Sequence, residues 1–199
     1  MPTGVAMRDP RDQLFDAAER ILLRDGANAL TSRAVTAEAG CAKGVLHRHF
    51  ADFDAFLAEL ILDRAGVIEF RGHELRSAAG TGTVDGNLTR ALTDLFGSVA
   101  LAVVGLITFR DEVRLRLRQA GLSGVPILTQ AVGTIAGYLS LEREFGRIAA
   151  DADVDSLALA LIGAGHLLFA DREAGPPAQE AVESMVNAVI ADVVQRRLL

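Results

Sequence analysis

Four side chains that can bind phosphate stand within seven residues of the sequence, at Lys43, His47, Arg48 and His49. Ammonium, guanidinium and imidazole groups all donate hydrogen bonds to phosphate oxygens. Residues 39–51 contain no carboxylate to compete for them, whereas residues 52–63 contain four acids and neither Lys nor Arg. The formal net charge of the whole chain is −6. Because the positive charge is confined to one segment of an acidic protein, the pattern favours a small surface that contacts a nucleic-acid backbone.

Other chemistry finds little support in the residue pattern. His47 and His49 stand two residues apart, on different faces of a helix, which argues against joint chelation of a metal. The single cysteine, Cys41, excludes an internal disulfide framework and is interpreted as a small buried hydrophobe rather than a redox centre. The sequence contains no Walker loop, nucleophile elbow or zinc-protease helix. We therefore expect no enzymatic activity, no metal and no cofactor.

Two short helical patterns joined by a glycine carry these cations. The first places a small apolar surface on one side of a helix, formed by Ala34, Val35, Ala37 and Ala39. It is predicted to end at Gly40, since glycine readily adopts the left-handed geometry that ends a helix. The second is predicted to start within about three residues, so the two helices cross steeply and the second can lie in the major groove of DNA. The sequence therefore predicts a helix-turn-helix over residues 31–50.

With its flanks, this segment resembles the N-terminal domain of the TetR family of bacterial transcriptional repressors. The residues that stand in the family pattern, with its spacing, are Thr31, Arg33, Val35, Ala39, Gly40, Lys43, Gly44, Leu46, Arg48, His49, Phe50 and Leu57. The resemblance implies an all-α fold of about nine helices. It also implies a three-helix DNA-binding head with the helix-turn-helix, followed by a helical body for ligand binding and dimerisation.

Four positions depart from the family pattern. Ala42 replaces the serine that caps the reading helix, Val45 replaces threonine, His47 replaces tyrosine and Phe53 replaces lysine. Two phosphate partners are thereby lost, and the loss of one ammonium contact lowers the salt dependence of binding by roughly one unit of slope. The residues that we expect to contact DNA are Thr31, Ser32, Arg33, Ala42, Lys43, Gly44, Val45, His47, Arg48 and His49.

Helix start and stop signals divide the chain further. Asp9 and Pro10 predict the start of a first helix that ends at Gly26, Thr31 is a capping residue for the second, and Asp52 for a fourth. Residues 77–86 have the composition of a flexible connection. We therefore predict a DNA-binding domain over residues 8–68 and a helical ligand-binding and dimerisation domain over residues 84–199.

Several segments of the body are amphipathic or wholly apolar. Residues 110–119 alternate arginine with Val and Leu, a pattern compatible with a strand or a nucleic-acid patch, but a solvated helix is favoured. The last two helices are predicted near residues 154–172 and 178–197, separated by Gly175, Pro176 and Pro177. Their apolar stripes are compatible with a protomer core or a four-helix dimer interface, and the resemblance favours the interface. The candidate interface residues are Leu161, Gly165, Leu168, Val182, Val186, Val189 and Val193.

A ligand pocket in the body is implied by the resemblance. His166 lies in an apolar stretch, and its ring requires a backbone carbonyl, the opposite subunit or a ligand as partner, a buried satisfied histidine being the default. The candidate lining residues are Phe96, Val99, Val103, Ile107, Phe109, Tyr138 and His166. Because few of them are polar, an apolar or mixed small molecule is favoured over a sugar or nucleotide.

The resemblance implies a homodimeric repressor that binds double-stranded operator DNA and is released by an unknown small-molecule effector. In this hypothesis a tilt of the fourth helix changes the separation of the two reading helices. The alternative is a small-molecule binding protein of the same fold whose DNA binding has weakened or been lost, with an enzyme a distant third. Residues 1–7 lack the features of a secretory signal, and later apolar runs are interrupted by charges or glycine. We therefore expect a cytoplasmic protein with no membrane partner.

Overall fold

The computed structural model describes residues 9–97, 102, 103, 106, 110–122, 124–170 and 175–196. In this part of the chain there are nine helices, one 3-10 turn and no strand, which confirms the predicted all-α fold. The helices are α1 Pro10–Asp25, α2 Ser32–Glu38, α3 Val45–His49, α4 Phe53–Ser77, α5 Val84–Phe96, α6 Asp111–Gln119, α7 Pro126–Glu144, α8 Val154–Leu168 and α9 Gln179–Arg196, with the 3-10 turn at Ala27–Ala29. None of the described helices combines the length and the apolar content needed to cross a bilayer.

The chain divides into two compact units. The first comprises Met1–Asp63 and Ala102–Leu122, and the second comprises Arg64–Leu101 and Ser123–Leu199. This division differs from the predicted domain bounds, because α6 is grouped with the N-terminal segment and the predicted connection over residues 77–86 falls inside the second unit. Helix α4 therefore contributes residues to both units.

In the first unit, the predicted helix signals form as expected. The Asp9 side chain accepts a hydrogen bond from the Arg11 amide at 2.9 Å, Pro10 is the first helical residue, and Gly26 ends α1 with a φ of 79°. Helices α1, α2 and α3 pack on one another. Their interior is apolar and closed to solvent, formed by Leu14, Phe15, Ala18, Leu22, Val35, Leu46, Phe50, Phe56, Leu57 and Leu60.

The arginine-rich segment after residue 110 is a helix rather than a strand, as predicted. Val113 and Leu117, which are four residues apart, are both buried, while Leu115 between them is exposed. This is the periodicity of one helical face. The segment is less solvated than expected, because Arg110 forms an ion pair with Asp54 of α4 and Arg116 forms one with Asp52, the residue before α4.

In the second unit, α5, α7, α8 and α9 enclose an apolar interior. Helix α8 packs against α5 at Gly165, where the Phe96 ring rests against the glycine backbone and stacks on Phe169 with 5.4 Å between ring centroids. A Cβ atom at Gly165 would lie within 3.3 Å of three carbons of the Phe96 ring. The absence of a side chain at this position therefore allows the two helices to pack.

Gly165→Ala is expected to lower the free energy of unfolding by about 1–3 kcal/mol, because the added methyl group overlaps a buried ring in a filled interior. Gly133→Ala on α7 is the matched control, since a Cβ atom there meets nothing within 4 Å. That control is expected to gain up to about 1 kcal/mol from the better helix propensity of alanine. Denaturant titration of both variants measures the difference, and equal stability of the two would contradict the packing argument.

Candidate DNA-binding surface

The turn between α2 and α3 is built by local hydrogen bonds. The Thr31 hydroxyl accepts from the Ala34 amide at 3.1 Å, which confirms the predicted cap of α2. Gly40 has a φ of 66°, and the amide of Cys41 donates to the Thr36 carbonyl at 2.9 Å. Such a left-handed residue after the last helical turn is the helix stop that glycine favours. The sequence therefore predicted both ends of α2.

The reading helix α3 is short and begins at Val45, slightly later than predicted. It has no side-chain cap, and its N-cap residue is Gly44 and not Ala42, which replaces the family serine. Leu46 is fully buried and fixes the helix on the core, as Val35 does for α2. These two residues determine which side chains face solvent.

All ten predicted DNA contacts are accessible to solvent. Seven are exposed, namely Thr31, Arg33, Ala42, Lys43, Gly44, His47 and Arg48, and three are half-buried, namely Ser32, Val45 and His49. The segment thus presents two cations and two imidazoles on the first unit, without an acid between residues 39 and 51. This arrangement can bind a phosphate backbone and present side chains to base edges. Contact of each residue with DNA stays a prediction.

Arg11 fixes the C-terminal end of α3, a role that the sequence pattern did not indicate. Its guanidinium pairs with Glu59, donates to the His49 carbonyl at 3.4 Å and lies 4.6 Å from the centroid of the Phe50 ring. One side chain of α1 is thereby joined to α3 and α4. No local signal predicts this contact, since Arg11 and Glu59 are 48 residues apart.

The acid nearest to the turn, Glu38, is neutralised by two arginines of α1. Arg20 donates to its carboxylate at 2.9 Å and Arg24 at 3.1 Å. Hydrogen bonds from Arg20 and then Arg24 lower the pKa of the Glu38 carboxyl. The carboxylate at the end of α2 therefore stays ionised and already paired beside the cationic segment.

Asp52 caps α4, as predicted. Its Oδ1 atom accepts from the Ala55 amide at 2.7 Å, and this bond is the largest cause of a lowered pKa of the Asp52 carboxyl, ahead of a hydrogen bond from Arg116. Phe53, which replaces the family lysine, stacks on the Phe56 ring at 5.6 Å between centroids. The lysine position is thus occupied by a packed aromatic ring.

Four of the seven candidate ligand residues lie within the described part of the chain, and their role in a pocket stays a prediction. Phe96 and Tyr138 are buried in the second unit, where Tyr138 bonds to Asn87. His166 is half-buried on α8, and Val103 is buried in the first unit. The remaining three, Val99, Ile107 and Phe109, lie outside the described residues.

A groove of about 490 Å³ lies between α8 and α9 in the second unit. Its lining is mostly apolar and consists of Asp153, Ser156, Leu157, Ala160, Val189 and Val193. None of the candidate ligand residues lines it. The sequence indicated this place only through Val189 and Val193, as candidate interface residues.

Most of the candidate interface residues serve the core of the protomer instead. Five are buried within the single chain, namely Leu161, Gly165, Val182, Val186 and Val193, whereas Leu168 and Val189 are half-buried. The large apolar side chains that α8 exposes are Leu159, at 64%, and Leu167, at 76%. Because α8 has apolar residues on more than one face, the helical pattern in the sequence led to candidate interface residues on the face that packs inside the protomer. Within the described residues no group of three His, Cys, Asp or Glu side chains could hold a metal ion.

Comparison with known proteins identifies this arrangement. Residues 14–60 match the sequence profile "Bacterial regulatory proteins, tetR family". No curated protein sequence matches the chain. Three similar solved structures are the reduced form of NemR from E. coli (14% identity, TM-score 0.73), a TetR-family regulator from Rhodococcus sp. (19%, 0.68) and FadR from Bacillus subtilis in complex with stearoyl-CoA (17%, 0.66). The similarity covers 93%, 94% and 90% of this chain and 97%, 100% and 97% of those chains, respectively. Residues 14–60 of this protein therefore match the sequence profile of the tetR family of bacterial regulatory proteins, and the chain has a TetR-like fold.

Proposed function

We propose that the protein is a homodimeric transcriptional repressor that binds double-stranded operator DNA through α2 and α3. The observation that carries the proposal is the exposure of Lys43, in the turn before the reading helix, and of Arg48 on that helix, in a segment without acids that matches a family of regulators. A two-fold dimer presents two such helices to successive major grooves. The proposal includes no enzymatic activity and places the protein in the cytoplasm.

Dimerisation is proposed through the outer face of α8. Leu159 and Leu167 lie two helical turns apart on that face and are largely exposed in the single chain. Large apolar side chains at this spacing are suited to burial against a second copy. This face replaces most of the residues selected from the sequence, since those are already buried.

The effector is proposed to be an apolar or mixed small molecule that binds the body and lowers the affinity for DNA. The apolar character of the candidate lining residues supports this class, and the structurally similar FadR is in complex with stearoyl-CoA, a ligand with a long apolar chain. A coupling free energy of roughly 1–3 kcal/mol between effector binding and DNA binding changes the affinity for DNA about 5- to 150-fold. Helix α4, which contributes to both units, is the element that we propose transmits the change.

Fluorescence anisotropy tests the DNA-binding part of the proposal. The purified protein is titrated into duplexes that tile the DNA upstream of its own gene, at two salt concentrations and beside a random-sequence duplex. We expect saturable binding to one duplex that weakens as salt rises, because phosphate contacts release counterions. Equal affinity for every duplex, random sequence included, would refute a regulator of its own gene.

The second candidate is a small-molecule binding protein of the same fold without DNA reading. The packed Phe53 ring in place of the family lysine favours it, because that position holds no cation of its own. A protein that binds no duplex at either salt concentration would support this candidate over the first.

A further inference from the structure

Two carboxylates stand at the start of α4, directly after the reading helix. Helix α3 ends at His49, and Asp52 and Asp54 follow three and five residues later. The chain therefore places two negative charges beside the segment proposed to contact phosphate. Unpaired, these charges would repel the DNA backbone and weaken binding.

Two arginines from outside the helix-turn-helix neutralise these carboxylates. The Nη2 atom of Arg116 lies 2.8 Å from Oδ2 of Asp52, and the Nη1 atom of Arg110 lies 2.7 Å from Oδ1 of Asp54. The partners are 64 and 56 residues apart in sequence. Each of the two acids thus has its own guanidinium, supplied by α6 or the residue that precedes it.

Further contacts hold the two arginines in place. Arg116 also donates from Nε to Glu112, one turn earlier on α6, at 3.0 Å. The guanidinium of Arg110 lies 5.5 Å from the centroid of the Phe53 ring, between the two acids in sequence. Their side chains are 29% and 37% exposed. Because both guanidinium groups have a second contact, less conformational entropy is lost when they hold the carboxylates.

The Asp52 carboxylate connects α6 to the geometry of the reading helix. One oxygen caps α4 through the Ala55 amide, and the other accepts from Arg116. Only Phe50 and Ala51 separate this carboxylate from the end of α3. The contacts agree with the division of the chain, which groups residues 102–122 with the helix-turn-helix.

We propose that Arg110 and Arg116 are positioning residues of the DNA-binding unit, which hold the carboxylates of Asp52 and Asp54 and cancel their charge beside the reading helix. The inference rests on the proposed function as a DNA-binding regulator. It makes α6 a functional part of the head, although α6 lies far from the helix-turn-helix in sequence.

The test is the double variant Arg110→Gln with Arg116→Gln, measured by anisotropy on the duplex that the wild-type protein binds best. Its affinity is expected to fall roughly 3- to 30-fold, the range implied by two partly exposed ion pairs. Adding Asp52→Asn and Asp54→Asn to the same chain is expected to restore the affinity to within about 2-fold, because asparagine still caps α4 but carries no charge. Arg118→Gln is the matched control, since Arg118 is an exposed arginine on the same helix.

The outcomes separate the inference from the proposed function. A wild-type protein that binds no duplex refutes the function itself. Wild-type affinity in the double arginine variant, or a loss that the two asparagines do not restore, overturns the inference while the function stands.

Thermal unfolding monitored by circular dichroism checks that the variants fold. If the double arginine variant is unfolded, Asp52→Asn with Asp54→Asn in the otherwise unchanged chain serves instead. That variant is expected to bind as tightly as the wild type or more tightly, because it removes two negative charges near the DNA-facing segment. A loss of affinity greater than about 3-fold in this folded variant would overturn the inference.

Discussion

Replacing both Lys43 and Arg48 by alanine is expected to reduce operator affinity by roughly 100-fold, the effect of losing two charge-assisted contacts with DNA at about 1–3 kcal/mol each. Both side chains are exposed on the segment that lacks acids. The slope of log affinity against log salt is expected to decrease in magnitude by about 2, since each phosphate contact contributes about 0.9. Stability is expected to change by less than about 0.5 kcal/mol, as for other surface substitutions.

A matched control separates the position of these cations from their charge. Arg90→Ala with Arg118→Ala removes two exposed arginines of α5 and α6 and changes the net charge by the same amount. That control is expected to keep the wild-type slope and most of the affinity. Anisotropy titrations at four salt concentrations measure both quantities for both variants. If the two variants lose the same affinity, DNA binding depends on the overall charge and not on α3.

The features that the sequence predicted well are those fixed by neighbouring residues. The caps at Asp9, Thr31 and Asp52 and the stop at Gly40 each depend on groups within a few positions of one another. Their hydrogen bonds are dictated by backbone geometry, so residue type and spacing suffice to predict them. The helix-turn-helix follows from the same local rules.

The features that the sequence did not reveal depend on contacts between distant residues. The composition of residues 77–86 predicted a flexible connection. In the structure, however, the Arg147 guanidinium donates hydrogen bonds to the carbonyls of Thr81 and Gly82 at 3.1 and 2.6 Å. Asn87 donates to the Thr81 carbonyl at 3.0 Å. Glycine-rich composition therefore marked a true loop, but not the boundary between the two compact units.

The interface and pocket residues show a different limit. The periodicity of apolar residues indicates that a helix has an apolar face. It does not indicate whether that face packs against the same chain, a second copy or a ligand. Val182 and Val186 follow the predicted stripe and are buried inside the protomer. Leu159 and Leu167 were overlooked because α8 is apolar on more than one side.

Glu142→Gln is expected to lower the free energy of unfolding by about 3 kcal/mol, because it removes one charge of a buried ion pair and leaves the other. Glu142 on α7 is fully buried and lies 3.3 Å from Nη1 of Arg147. Its carboxylate also accepts from the Gly80 amide at 3.4 Å. The substitution keeps the shape of the side chain, so the expected loss reports charge and hydrogen bonding and not a cavity.

The surrounding hydrogen bonds make Glu142 the centre of a buried network. Burial, followed by a hydrogen bond to Glu142, raises the pKa of the Tyr138 phenol well above its ordinary value, so the hydroxyl stays protonated. Tyr138 therefore donates to Glu142 and accepts from the Asn87 amide at 3.1 Å. Through Asn87, Arg147 and Gly80, the network holds the loop between α4 and α5 against α7.

Glu144→Gln is the matched control, since it makes the same chemical change at an exposed position two residues further along α7. It is expected to alter stability by less than about 0.5 kcal/mol. A stability loss for Glu142→Gln no greater than that of the control would mean that the buried carboxylate is not needed for folding.

A double-mutant cycle then distinguishes the ion pair from the rest of the network. Arg147→Met combined with Glu142→Gln is expected to be less destabilising than the sum of the single variants by about 1 kcal/mol or more, because neither charge is left alone. Additive losses would assign the stability to the hydrogen bonds of Arg147 with Thr81 and Gly82. Those hydrogen bonds and the Glu142 carboxylate all hold the loop between α4 and α5. The coupling free energy between the two substitutions therefore measures how much of the attachment of this loop comes from the ion pair and how much from the backbone contacts of Arg147.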